Sequence, residues 1–376
     1  MVSANPFAHP MAHLFIAQQA RVPTLVIGDP GDGKTAIHRA LAKAMARRFV
    51  LMIGSQCTPE DVGGVAVPDF AKHLCRMMPM WWVEQLLTPG GFLFLDEFMA
   101  NSPAVQSALL TVIQDKLVGE VYFDGDTIVC AAANPLDMTP NGSPLYLPSL
   151  NRFFHAKWEC DDETWLDGLD TLNWDAPAFP LVPAGWEGSI PKWGSRVQMF
   201  HRRTEGMRSV IPSDETTFSF PTRRTWANAI RCLAAADAAG ADLTTDQTFV
   251  RRMVEGNVGE VVANAFCQFN STLDLIDPLD VLDDKAKFKH NDSRPDLTFS
   301  VVASVVSTVH AASTFTPARW DRAARFLGEI GDEVAPEIAL KYLNLLRKAA
   351  EQNKYVPNAK AVQPLIALHK AIKSVG

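Results

Sequence analysis

The chain is short of cysteine, of positive charge and of long apolar stretches. Six cysteines stand at 57, 75, 130, 160, 232 and 267 among 376 residues. None forms a Cys-x-x-Cys pair and none has histidines at zinc-finger spacing. That argues against a zinc-ribbon module and a disulfide framework, and predicts free thiols in a reducing compartment. His9 and His13 are four apart near the start, but two ligands do not make a metal site. The net charge is −7 with neutral histidines. A protein that grips duplex DNA through its phosphates carries a basic excess, so nonspecific nucleic-acid binding is disfavoured, with a local basic groove left open. No apolar run is long enough to span a bilayer, and no basic region followed by an apolar core marks a secretory signal. A cytoplasmic protein without a membrane span is expected.

What is present suits a folded chain of two or three domains, with 47% hydrophobic and 20% charged residues. Up to about residue 160, short apolar runs alternate with helical patterns, which predicts an α/β domain with a parallel sheet flanked by helices. Five strands are expected at residues 22–27, 49–53, 92–95, 128–133 and 153–158. Helices are expected at 35–48 and 102–114, and a hairpin with an Asp-Gly turn at 119–126. Residues 161–191 read as an irregular connection. After Pro221 the pattern is helical: 222–239, then 246–269, a charged linker or loop at 274–295, three helices at 297–312, 317–331 and 334–352, and a last one after Pro364. The expected domains are a nucleotide-binding core at 1–160, a helical lid at 161–270 and a helical extension at 271–376.

The segment Gly28-Asp29-Pro30-Gly31-Asp32-Gly33-Lys34-Thr35 matches G-x-x-x-x-G-K-[ST]. Glycines let successive N–H groups turn inward onto phosphate oxygens, and the helix that follows aims its positive end at the same anion. Lys34 adds charge at the β- and γ-phosphates, and the Thr35 hydroxyl suits Mg²⁺. Ordinary residue frequencies give roughly one chance match per hundred chains of this length, and here the motif also lies between an expected strand and an expected helix. A second apolar strand ends in Asp96-Glu97. Carboxylates at the end of a buried strand are costly unless paired or metal-bound. Asp96 therefore reads as a Mg²⁺ ligand, and Glu97 as the group that orients and deprotonates the attacking water.

With these motifs in place, residues 20–226 resemble the MoxR-type AAA+ ATPases of the helix-2-insert group. Gln106-Ser107-Ala108-Leu109-Leu110 resembles the family's helix after the acidic strand, and Pro59-Glu60-Asp61-Val62-Gly63-Gly64 its segment before the helix-2 insert. Ala132-Ala133-Asn134-Pro135 is similar to its sensor-1 segment, and Leu150-Asn151-Arg152-Phe153 to its arginine-finger segment. The resemblance implies that Asn134 contacts the attacking water or γ-phosphate and that Arg152 reaches a neighbouring subunit's γ-phosphate. It also implies that Arg223 is the sensor-2 arginine, with Arg224 adjacent. The family's Asn-Arg after its acidic strand is Met99-Ala100 here. By resemblance the chain is an ATP hydrolase using ATP and Mg²⁺ in a ring, usually of six. It would remodel or activate a protein partner, commonly one with a von Willebrand factor A domain. A nucleic-acid-directed motor or defence-system ATPase, and a metal-chelatase motor subunit, are the alternatives that share this engine; a preference for GTP is also open.

Two inserts are expected to pass motion to a target: residues 65–82, rich in Phe70, Met77, Met78, Met80, Trp81 and Trp82, and the hairpin at 117–126. Trp81 and Trp82 read as core anchors rather than as part of a gripping surface. Arg196, Arg202, Arg203 and Arg208 with His201 form a basic island, read as a solvated helix face or subunit contacts in preference to an acidic-partner or nucleic-acid site.

Overall fold

In a computed structural model the chain folds into two compact units. The structure describes residues 5–88, 90–139, 144–160, 162–170, 172, 177–213, 217–273, 275–290, 295–310, 314–333, 336–363 and 365–366. The first unit comprises Met1–Val182, Arg208–Cys232 and Thr248–Ala263; the second comprises Pro183–Met207, Leu233–Gln247 and Asn264–Gly376.

In the first unit α1 (Ala12–Gln19) precedes β1 (Thr24–Ile27), α2 (Lys34–Ala44) and β2 (Arg48–Ile53). Then come α3 (Pro59–Gly63), the strands β3 (Val65–Asp69) and β4 (Leu74–Met78), and α4 (Trp81–Glu84). They are followed by β5 (Gly91–Asp96), α5 (Pro103–Asp115), β6 (Leu117–Val118) and β7 (Val121–Tyr122). The series closes with β8 (Ile128–Ala133), α6 (Leu147–Leu150), β9 (Phe154–Lys157) and α7 (Asp162–Asp167). Five strands form a parallel sheet in the order β2-β5-β8-β1-β9. Such a sheet is covered on both faces, so its central strands are apolar throughout rather than alternating. All of β8 is buried. Along β5, Phe92 and Phe94 pack against Phe49, with ring centres 5.7 and 5.6 Å apart. Leu93 and Leu95 join Val50, Leu109 and Val112 in a separate apolar cluster. Each such fully buried side chain contributes about 1.5–3 kcal/mol. Helix α5 begins where Ser102 caps it, its Oγ accepting from Val105 N–H, with Pro103 at the first turn.

The hairpin turn differs from expectation. It is closed at Gly119-Glu120 between β6 and β7, and Gly125-Asp126 makes the next turn, into β8, closed by Thr127 N–H donating to Asp124 O at 3.0 Å. The Lys116 ammonium donates to the Thr127 carbonyl at 2.6 Å and also to that of Gly125, which ties the second turn to the hairpin's base. Within the 65–82 insert the two tryptophans part company: Trp82 is buried, its indole N–H donating to Asp61 O at 2.9 Å, whereas Trp81 is 68% exposed.

The remaining helices are α8 (Ile190–Arg203), α9 (Arg223–Ala238), α10 (Gln247–Val258), α11 (Glu260–Ser271), α12 (Pro278–Leu282), α13 (Pro295–His310), α14 (Pro317–Glu333) and α15 (Pro336–Gln352). The single helix expected at 246–269 is two, because Gly259 takes φ +83° and ends α10. The expected loop at 274–295 contains α12, whose Val281 and Leu282 are buried in the second unit's core. There α13 presents Val302, Val305, Val306 and Val309 to Trp320, Leu327 and Leu346. The irregular 161–191 stretch holds α7 and leads into α8. The helix expected after Pro364 falls largely outside the described residues. Among the described residues no helix is long and apolar enough to cross a membrane.

Gly259 is a position where a side chain is poorly tolerated. A Cβ there would meet Ser219 O at 2.6 Å in addition to the left-handed backbone angle. Gly259→Ala is expected to destabilise the protein by about 1–3 kcal/mol, read as a lowered urea midpoint. An unchanged midpoint would show that the α10–α11 break relaxes freely.

Candidate active site

Three neighbouring strands deliver the chemistry to one edge. In register, Ile27 of β1 lies beside Ala133 of β8, and Leu95 of β5 beside Ala131. The residues that follow, Gly28, Asn134 and Asp96, therefore emerge together at the sheet's carboxyl end. This is the edge where open parallel sheets bind ligands. Since β8 lies between β5 and β1, Asn134 falls between the phosphate loop and the acidic pair.

The Lys34 ammonium is buried and donates to Gly28 O at 2.8 Å, Asp29 O at 2.7 Å and Asn134 Oδ1 at 3.2 Å. Burial pushes it below the ordinary lysine value, opposed by the charges of Asp32, Asp96 and Asp29. Among the described residues no carboxylate forms an ion pair with it. Gly31 and Gly33 take φ +95° and +75°, and a Cβ at either would meet nothing within 4 Å. Helix α2 starts at Gly33 with no capping side chain and no acid in its first turn. The result is an open cradle of N–H donors beside a buried cation, which fits a polyphosphate. Thr35 Oγ1 donates to Asp96 Oδ2 at 2.7 Å, and Glu97 N–H donates to Asp96 Oδ1 at 2.9 Å. A hydroxyl and a carboxylate in contact beside that cradle form a hard-oxygen donor set that fits Mg²⁺.

Glu97 sits at φ +54°, unusual for a residue with a side chain. Its conformation is held from two sides. Ser55 Oγ donates to Glu97 Oε2. Gly54 lies so close that a Cβ there would be 2.6 Å from Glu97 O and 2.5 Å from Asn101 Nδ2. A cavity of about 280 Å³ opens before Glu97, with Ser55, Met99, Asn134, Met138 and Thr139 in its wall. Sequence reasoning missed Ser55, although its place directly after a parallel strand was the available signal. It also missed Trp158, whose indole N–H donates to Asp32 O at 3.0 Å and holds the phosphate loop from below. A Cβ on Gly28 would come 2.5 Å from Trp158 Cβ. Beneath the loop His38 Nδ1 bonds Lys34 O at 2.6 Å, and its ring lies 4.9 Å from Phe94 and 5.9 Å from Trp158.

Arg152 lies apart from this cluster. Its one hydrogen bond among the described residues goes to Pro148 O at 2.5 Å, and its Nε is buried without a partner. Burial, then the charge of Arg224, presses it below the ordinary arginine value, against Asp115. Arg223 and Arg224 are both exposed at the start of α9, and Thr222 Oγ1 anchors that start to Asn151 Oδ1 at 2.8 Å. The basic island is partly dissolved: Arg196 stacks 4.7 Å over Trp193 and bonds Asn270, and Arg203 pairs with Asp296 at 3.1 Å. Among the described residues no group of three His, Cys, Asp or Glu side chains is placed to hold a metal ion.

This arrangement of cradle, lysine, hydroxyl–carboxylate pair and polar end residue defines a P-loop nucleoside triphosphatase. Residues 23–153 match the family described as AAA domain (dynein-related subfamily), from the strand before the loop to Phe153. That match takes in the phosphate loop and the acidic pair, and the chain is an ATP hydrolase. A solved structure described as that of a candidate ATPase from Cytophaga hutchinsonii is similar at 17% identity, covering 70% of this chain and 81% of that one, with a TM-score of 0.40. No curated protein matches the chain.

Buried histidines of the first unit make an acid limit, His13 and His38 among them, with His155 lowered by burial to about 4 in the same direction. Burial lowers His38 from 6.5 to about 4 and His13 to about 3. Below pH 6.5 the unfolded chain takes up protons that these folded imidazoles refuse, so stability falls as pH falls. The expected loss is up to about 1.4 kcal/mol per pH unit for each group, until the folded value is reached. Urea midpoints measured from pH 7 to pH 5 should decline; a flat profile would contradict neutral buried rings.

Proposed function

We propose that the chain is a ring-forming motor of MoxR type that couples ATP hydrolysis to remodelling of a protein partner, with a von Willebrand factor A domain protein as the expected partner. The observation that carries the ring is Arg152: a partly buried cation with no bonded acid, outside the contacts of the chain's own phosphate loop. An arginine so placed suits a phosphate supplied by a neighbouring subunit. Arg223 or Arg224 would serve as the second sensor at the start of α9.

Within the site Lys34 and the N–H groups of Gly31 to Thr35 hold the phosphates. Thr35 and Asp96 would hold Mg²⁺, which supplies charge neutralisation at the phosphate oxygens when bound. Glu97, fixed by Ser55 and Gly54, takes the proton of the attacking water. Asn134 orients that water or the γ-phosphate.

Support for a protein target comes from the two hairpins. Val67, Phe70, Met78 and Trp81 are exposed on and beside the β3–β4 hairpin, with Phe70 84% exposed. That hairpin rests against the other one: Arg76 pairs with Glu120 at 3.0 Å, and a Cβ on Gly119 would be 2.7 Å from Met77 O. The two inserts thus offer one apolar surface joined to the nucleotide domain. A nucleic-acid motor has weaker support, since Arg203 of the basic island is already paired with Asp296.

Glu97→Gln is expected to keep nucleotide binding and lose about 100-fold or more in turnover, whereas Lys34→Ala should lose binding. A pull-down that recovers a von Willebrand factor A domain protein with Glu97→Gln but not with Lys34→Ala supports the proposal; nucleic acid recovered without a protein opposes it. The ring has its own test. Arg152→Ala and Glu97→Gln are each expected to be inactive, and an equal mixture should regain about a quarter of wild-type turnover if the arginine acts across subunits. A mixture as inactive as its components would place Arg152 outside the neighbour's site.

A further inference from the structure

The second unit contains a polar cavity of about 390 Å³ that shares no residue with the phosphate loop. It lies among α8, the end of α9, the segment leading into α12, and the face of α13 opposite its valines. Lys192 and Asp237 meet in its wall, Nζ lying 2.8 and 3.0 Å from the two carboxylate oxygens. That pair is neutral in sum. Arg196 in the same wall is different. Its guanidinium stacks on Trp193 and gives one hydrogen bond, to the neutral amide of Asn270 at 3.0 Å, while its Nε is buried with no partner. Ser307 also lines the cavity; it is buried and its Oγ lacks a partner.

Two donors buried and unused in one cavity are costly unless something accepts from them. A cation without a bonded acid sharpens the demand, because burial of an uncompensated charge is costlier than burial of a hydroxyl. Water would satisfy the hydroxyl but not the charge. An oxyanion satisfies both. The cavity has room on the order of ten waters, well beyond a bare ion, and Ser304 and Thr308 add further hydroxyls to its wall.

We propose that this cavity binds a small organic anion whose oxyanion is received by Arg196 and Ser307 and whose hydroxyl-bearing body is received by the Ser304–Thr308 face of α13. The oxyanion is either a phosphate or a carboxylate; the two classes present the same acceptors to a guanidinium fork.

The test is calorimetric titration of the full chain with ribose 5-phosphate, gluconate and inorganic phosphate. One organic probe is expected to bind at least about tenfold more tightly than inorganic phosphate, and which one does so separates the phosphate from the carboxylate class. Lys34→Ala should leave that binding unchanged, while Arg196→Gln and Ser307→Ala should each weaken it about tenfold. Ser307→Ala also guards against a folding artefact. It removes an unpaired hydroxyl, so its melting temperature without probe should equal or exceed that of the wild type. Absence of binding by both organic probes up to about 10 mM would overturn the proposal. So would binding abolished by Lys34→Ala, binding indifferent to both cavity variants, or a phosphate ion bound as well as the organic probes, which would be an adventitious ion only.

Discussion

A buried ammonium without a bonded acid organises the first unit. Lys34 is held by two backbone carbonyls and one amide oxygen, which orient its charge without neutralising it. Three aspartates act on it from a distance and soften the desolvation. The sheet order follows the same need. β8 must sit between β5 and β1 for Asn134 to reach Lys34, while Thr35 reaches Asp96. Trp158 and His38 brace the loop from its inner side, so that the lysine is presented by a rigid floor rather than by a mobile turn. Preorganisation of this kind leaves the electrostatic gain to be realised when an anion arrives.

The phosphate loop and the acidic strand end were legible because their chemistry dictates composition: glycine at positive φ, lysine, a hydroxyl, and carboxylates where an apolar run stops. The five strands were legible because a sheet covered on both faces needs continuous apolar runs. Other features turned on competition between similar signals. Gly119-Glu120 and Gly125-Asp126 both make turns, and the Lys116 contacts that separate their roles are not visible in a pattern. Gly259 sits within an unbroken helical period, and its φ of +83° depends on tertiary packing. Ser55 acts on Glu97 from forty residues away, a distance no local motif spans. In the 65–82 insert, composition put Trp81 and Trp82 on equal terms; the direction of one helical turn decided which is buried.

The second unit rests on a division of labour within α13. Valines on one face pack against Trp320, Leu327 and Leu346, and serines on the other face α8, where Ser195 and Ser300 bond at 3.1 Å. Serine is small enough to let helices approach, but each hydroxyl needs a partner once buried. Ser300 has found one in protein; Ser307 has not. A helix built this way tolerates water or a ligand on one side while its other side stays dry.

The close approaches at Gly28 and Gly54 bear on how such a chain can diverge. Neither residue offers a side chain to nucleotide, yet each lies against a neighbour at a distance no methyl group permits. Drift at these two positions is therefore closed even where the chemistry itself would allow it. The exposed hairpin residues carry no comparable restraint, so that surface is free to change while the phosphate site stays fixed.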